Sequence, residues 1–150
     1  MKVFVPTLIG LAFAAVVFAF VSWVGRRAAA KALADDEVQG AGAVTTGRLL
    51  GAFGVGGGLV RGVGAVAVHR DRVVFVLAAP RRVMTFPLAL LTDMEVTKVL
   101  RFPGRYARLP RPMLVLRAGE AAGMAVLVRD PEALATAVRM AQRPGSPGTS

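Results

Sequence analysis

The sequence predicts a mainly β domain closed by a C-terminal helix and preceded by an N-terminal transmembrane helix. Three observations predict it. An apolar run without a charge fills residues 3–25. Short stretches rich in Val, Leu and Phe then recur between Gly, Pro and Asp turn signals as far as residue 129. Finally, an apolar stripe at helical spacing follows Asp130.

The first element is VFVPTLIGLAFAAVVFAFVSWVG, which lies between Lys2 and Arg26. As a helix rising about 1.5 Å per residue it would cover roughly 34 Å, against a hydrocarbon core of about 30 Å. Pro6 falls in the first turn, where a missing N–H costs little. Val3, Phe4, Leu8, Phe13 and Phe18 are the apolar anchor residues. Trp23 suits the headgroup region, and Arg26 and Arg27 follow at once. A cleaved signal peptide would carry a shorter apolar region, about 7–15 residues, ending in small residues; here Trp23 and Val24 are bulky. Arg26, Arg27 and Lys31 outweigh Lys2, and positive flanks stay in the cytoplasm. The expectation is a single-pass protein of the plasma (inner) membrane with its domain cytoplasmic. Its division is an anchor at 1–25, a juxtamembrane helix or linker at 26–37, a domain at 38–142 and a disordered tail at 143–150.

The domain elements follow in order. Ala and Leu in RRAAAKALADDE favour helix, and Gly40 and Gly42 end it. Gln39–Arg48 is a weak first strand. GVGAVAVH (62–69) is a second, His69–Arg72 a polar turn, and Val73–Ala78 a buried third. Pro80-Arg81 turns the chain into Arg82–Phe86, which Pro87 ends. From Asp93 to Phe102 the alternation puts Met94, Val96, Leu100 and Phe102 on one face with Lys98. Pro103-Gly104 opens a basic loop through Arg111. Met113–Arg117 and Met124–Arg129 form a hairpin around Gly119 and Gly123. Asp130 as N-cap, Pro131 at the first position and Glu132 in the first turn start the closing helix. Its stripe is Leu134, Ala137, Val138 and Ala141.

Composition narrows function. The absence of cysteine excludes a disulfide framework, a thiol nucleophile and a thiolate metal site. Nineteen basic residues against nine acidic ones give +10, a field that favours anionic partners. His69 is the one histidine, and no acid–base pair or metal-ligand spacing accompanies it. Gly62-x-Gly64-x-x-Ala67 lacks the strand–turn–helix context of a dinucleotide site. No enzyme and no cofactor is expected.

GVGAVAVHRDRVVFVLAAPRRVMTFPLALLTDMEV resembles the central strands of pleckstrin-homology-like and GRAM-like domains. The matching pieces are Arg72-Val73-Val74-Phe75, the basic Arg81-Arg82, and Phe86 through Val96; RDPEALATAVRMA is similar to the closing helix. The resemblance covers residues 38–142. It implies a seven-stranded bent barrel capped by a helix, used for membrane-surface or protein binding. Basic residues usually crowd the first two strands of phosphoinositide-binding members. Here Arg48 and Arg61 stand apart across LLGAFGVGGGLV.

The residues expected to contact an anionic surface or partner are Arg48, Phe53, Arg61, Arg101, Arg105, Arg108 and Arg111. The apolar segment 49–60 could meet a membrane between Arg48 and Arg61, or fold onto the barrel. The expected function is a membrane-anchored binding or scaffold domain. Its partners would be the lipid bilayer, anionic phospholipid headgroups, or a protein. The alternative is a tethered nucleic-acid-binding domain, disfavoured by the lack of a helix-turn-helix signature or a row of stacking aromatics.

Overall fold

A computed structural model describes residues 4–54, 61–102 and 105–143, and the side chains of 14–54, 61–102 and 106–143. Helix α1 (Phe4–Leu33) passes through a 3-10 turn at Asp36–Val38 into β1 (Ala43–Phe53), β2 (Gly62–Val68), β3 (Arg72–Ala78) and β4 (Arg81–Pro87). A second 3-10 turn, Leu88–Leu90, leads to β5 (Asp93–Phe102), β6 (Arg105–Ala118), β7 (Ala122–Val128) and α2 (Pro131–Gln142). All seven strands form one antiparallel sheet in the order β4-β3-β2-β1-β7-β6-β5. Two meanders, β1–β4 and β5–β7, join where β1 pairs with β7. Strands β4 and β5 are free edges, so no hydrogen-bonded ladder closes the expected barrel.

The main core explains why these residues become strands. Leu49, Val66, Phe75, Phe86, Leu114, Leu116 and Met124 come from six strands and meet on the inner face of the sheet. Leu134, Ala135 and Val138 of α2 close that core. The helix starts as its sequence dictates: Ala133 N–H donates to the Asp130 carboxylate at 2.9 Å, with Pro131 in the first turn. Ala137 and Ala141 pack half-buried against the same core.

Strands β2 and β3 read as unbroken apolar runs because both of their faces are covered. Val66, Val68, Val73 and Phe75 face the main core. Ala65, Ala67, Val74 and Val76 face a second cluster with Ala28 and Ala32 of α1. The small residues in this stripe let helix and sheet approach closely.

The transmembrane expectation is corrected here. Among the described residues no helix is long and apolar enough to cross a membrane. Described side chains begin at Ala14, and Arg26, Arg27 and Lys31 all lie inside α1, which runs on to Leu33. The helix does not stop where its apolar run stops, and its last turns, through Ala28 and Ala32, are a docking surface for the sheet. The single-pass plasma-membrane location, which rested on that span, falls with it. Of the anchor residues, Phe18 and Trp23 are exposed on α1, and the Arg27 guanidinium lies 5.2 Å from the Trp23 ring centre. Arg26 is exposed as well. The side chains of Val3, Phe4, Leu8 and Phe13 lie outside the described residues, as do the tail residues 144–150.

Two further corrections concern strand faces. A register shift between Thr97 and Val99 interrupts the β5–β6 ladder. Met94 and Val96 therefore face the main core, while Leu100 and Phe102 face the opposite way into a third cluster. A similar shift between Leu49 and Gly51 keeps Leu49 and Ala52 inside and turns Leu50 and Phe53 outward. The second change concerns the expected basic loop from 103 to 111. Most of it is the first half of β6, a strand of 14 residues. Pro110 and Pro112 sit where the ladder is broken, between Arg108 and Met113, so their missing N–H groups cost no pairing.

Candidate functional site

The β5–β6 hairpin is an arm folded over the outer face of the sheet. Its inner side carries Leu100, Phe102, Ala107 and Leu109, which pack with Met113, Val115 and Ala125, and with Leu50 and Phe53 of β1. Phe53 meets Phe102 edge-on, with ring centres 4.8 Å apart and planes at 69°. Phe53, expected as a surface contact, is thus half-buried in this small core, and Leu49 and Ala52 are buried in the main one. The described part of segment 49–60 folds onto the sheet; residues 55–60 lie outside the described residues.

The arm's other side follows from the same alternation. Arg101 pairs in register with Tyr106, and Val99 with Arg108. Since Leu100, Phe102 and Ala107 point inward, Arg101, Tyr106 and Arg108 share the outward side. All three are exposed, Tyr106 at 69%. Neither arginine has a hydrogen bond or ion pair among the described residues. Arg105 opens β6, and its side chain lies outside the described residues.

The remaining expected arginines lie elsewhere. Arg48 pairs in register with Leu127 on the outer face of the sheet. Leu127 also walls a hollow of about 320 Å³, which Thr46, Arg111 and Arg129 help to line. Arg111 and Arg129 therefore come together around one hollow, and Arg48 stands on the sheet beside its Leu127 wall. Sequence reasoning missed Arg129, although strand alternation beyond the buried Val128 could have found it. Arg61 is exposed just ahead of β2 and belongs to neither group.

Several charges have structural jobs. Arg117 is held by Asp93 at 2.8 Å and Glu95 at 3.4 Å across the β5–β6 pair. Arg81 donates from Nε and Nη2 to the two oxygens of Asp35, at 2.7 and 3.0 Å. His69, expected as a surface-turn residue, is half-buried. Its Nε2 donates to the Glu37 carbonyl at 2.9 Å, so that nitrogen carries the proton. Asp35 to Glu37, the end of the expected juxtamembrane helix, are thus a clamp between α1 and the sheet, with Val38 buried beneath.

That clamp has a pH signature. Hydrogen bonds from Arg81 hold the Asp35 carboxyl below its ordinary value, and burial opposes them in part. A carboxyl lowered in the folded state stabilises above its unfolded pKa, about 4, and that contribution is lost as pH falls through the lower folded value. Amide exchange across residues 28–38, taken relative to the intrinsic rate at each pH, is expected to accelerate on acidification through that range. Arg81→Ala should reproduce the acceleration at neutral pH. Unchanged exchange in the variant would show that the clamp does not hold the helix.

Among the described residues no three His, Asp or Glu groups approach closely enough to hold a metal ion, and no buried side-chain polar atom lacks a partner. Comparison with known proteins finds no matching family model, no matching curated protein and no matching solved structure.

Proposed function

We propose that this chain is a non-catalytic binding module of the pleckstrin-homology-like kind, which holds an acidic protein surface against the outward side of the β5–β6 arm. One observation carries the reading. Arg101 and Arg108 stand exposed, without an ion pair among the described residues, beside an exposed Tyr106, on an arm whose reverse side is fixed by its own apolar core. Arg and Tyr are the residues that protein interfaces favour, because each offers a large rigid contact and a polar end. The packed core beneath them lowers the entropy lost when a partner orders the arm. The excess of basic over acidic residues supplies the long-range field, with Arg111 and Arg129 adding to it from their hollow. The order of the two meanders and the single closing helix support the pleckstrin-homology-like part of the reading.

The test is fluorescence anisotropy of a labelled glutamate-rich peptide titrated with the full chain at low and physiological salt. Wild type should bind, and more weakly at higher salt. Arg101→Glu with Arg108→Glu should abolish binding, while Arg70→Glu, at a turn remote from the arm, should leave most of it. Equal loss for both variants would reduce the effect to net charge and remove the arm as the site. A single-stranded oligonucleotide that binds more tightly than the peptide would favour the nucleic-acid alternative instead.

A further inference from the structure

The two free edges of the sheet are not equivalent. Strand β5 has the register shift at Thr97/Val99, the exposed charges of Asp93, Glu95, Lys98 and Arg101, and α2 packed nearby. These are the devices that keep an edge from pairing with another chain. Strand β4 has none of them through its middle, Val83–Phe86; only Arg81-Arg82 and Pro87 stand at its ends.

Hydrogen-bond alternation fixes what β4 presents. His69 N–H donates to the Arg72 carbonyl at 2.8 Å, so Arg72 turns its backbone polar groups toward β2. Those of Val73, Phe75 and Leu77 must then turn toward β4. Their register partners are Phe86, Met84 and Arg82. Val83 and Thr85 consequently aim their N–H and C=O groups out of the sheet, into the open seam. Pro87 belongs to the same outward set, where a residue without N–H breaks no ladder.

Beside this edge lies a hollow of about 420 Å³. Val83, Thr85, Pro87 and Leu90 line one wall, Ala118 and Ala122 the other. Leu90 is 58% exposed, an apolar side chain with no cover of its own. Arg82, exposed at the start of the strand, has no charged partner among the described residues.

We infer that β4 is a docking edge for an extended segment of a partner protein, which adds an eighth strand through the backbone of Val83 and Thr85. Such a segment places an apolar side chain in the hollow against Leu90 and an acidic residue beside Arg82. Charge decides between occupants. A second copy of this chain would bring its own Arg81-Arg82 and its own strong positive charge to the seam, whereas an acidic segment is attracted to it. The site is separate from the outward side of the β5–β6 arm, where Arg101 and Arg108 stand, and does not depend on the function proposed for it.

The experiment pans a phage library of random linear peptides against the full chain, then measures synthetic copies of the enriched peptides by calorimetry. The enriched peptides should alternate apolar residues and carry Asp or Glu. They should bind wild type and Thr85→Val alike. Thr85→Pro removes one outward N–H and leaves the β3 ladder intact, so it should weaken binding about tenfold or more. Bound peptide should also slow amide exchange at Val83 and Thr85 in wild type, a measurement that needs no variant to fold. The proposal is overturned if the peptides bind Thr85→Pro as well as wild type. Enrichment no better than that of unselected peptides overturns it too. So does protection of those amides in the chain alone together with a dimeric mass, which would make the occupant a second copy. Binding lost in the Arg101→Glu, Arg108→Glu variant would also overturn it, since it would place the peptide on the arm.

Discussion

Replacing Phe102 by Ala is expected to destabilise the domain by about 3–5 kcal/mol, the cost of removing a buried aromatic side chain. Phe102 is only 7% exposed and is the largest side chain of the arm's inner core. Its edge-on contact with Phe53 adds about 0.5–1.5 kcal/mol beyond the buried area, so Phe53→Ala and Phe102→Ala should be less than additive when combined. The loss is local in origin. The main core on the other face of the sheet keeps every one of its side chains, because Phe102 and Phe53 belong to a different cluster. Chemical denaturation should give the stability change, and amide exchange should show residues 99–109 opening before β2 and β3. Uniform acceleration along all strands would mean that the arm is not a separate unit. The functional consequence follows: an arm without its inner core should also bind acidic peptide more weakly, although Arg101 and Arg108 are untouched.

Gly64→Ala is the second large effect, expected near 3 kcal/mol, the upper end of overpacking costs. A Cβ on Gly64 would collide with the Val76 carbonyl, and would lie 2.9 Å from the Phe75 ring. The carbonyl is backbone in a strand buried on both faces, so it cannot swing aside as a flexible side chain would. Either β2 must lift from β3 or the ladder between them must break. Since Ala32 of α1 packs on the same pair of strands, the change should also loosen the helix. A melting curve and the exchange of residues 28–38 measure both effects. A variant as stable as wild type would show that β2 and β3 have slack there. Gly62→Ala is the control: its Cβ would meet the end of the Leu77 side chain, which can rotate, so its cost should be smaller.

Much of the strand order was legible along the chain, because turns and cores leave strong local marks. Asp130-Pro131-Glu132 announces a helix start through hydrogen-bonding chemistry that acts within three residues. His69 through Arg72 announces a hairpin through its polarity between two apolar runs, and Val73–Ala78 was identified as buried. The candidate site was harder. The arginines on the arm and its first strand, Asp93–Phe102, are visible in the sequence, but residues 103–111 look like a loop there, because Pro110 and Pro112 look like strand breakers in one dimension. They are harmless where the ladder is already broken. The N-terminal helix shows the opposite failure. Its apolar run was visible and dominated the reading, while the contacts of Ala28, Ala32, Asp35 and Glu37 with strands far along the chain were invisible to it.

The sequence alone determined a β-rich domain with a closing helix and a cysteine-free, strongly basic composition. Period, capping and charge are properties of neighbours along the chain, so they can be read there. Tertiary structure alone decided which face each side chain occupies. One extra residue at Leu49/Gly51, or the larger irregularity at Thr97/Val99, changes which face the side chains beyond it occupy, and only pairing with another strand shows the slip. For the same reason the second apolar core, the open edge of β4 and the Asp35–Arg81 clamp emerged only once residues distant in the chain were set side by side.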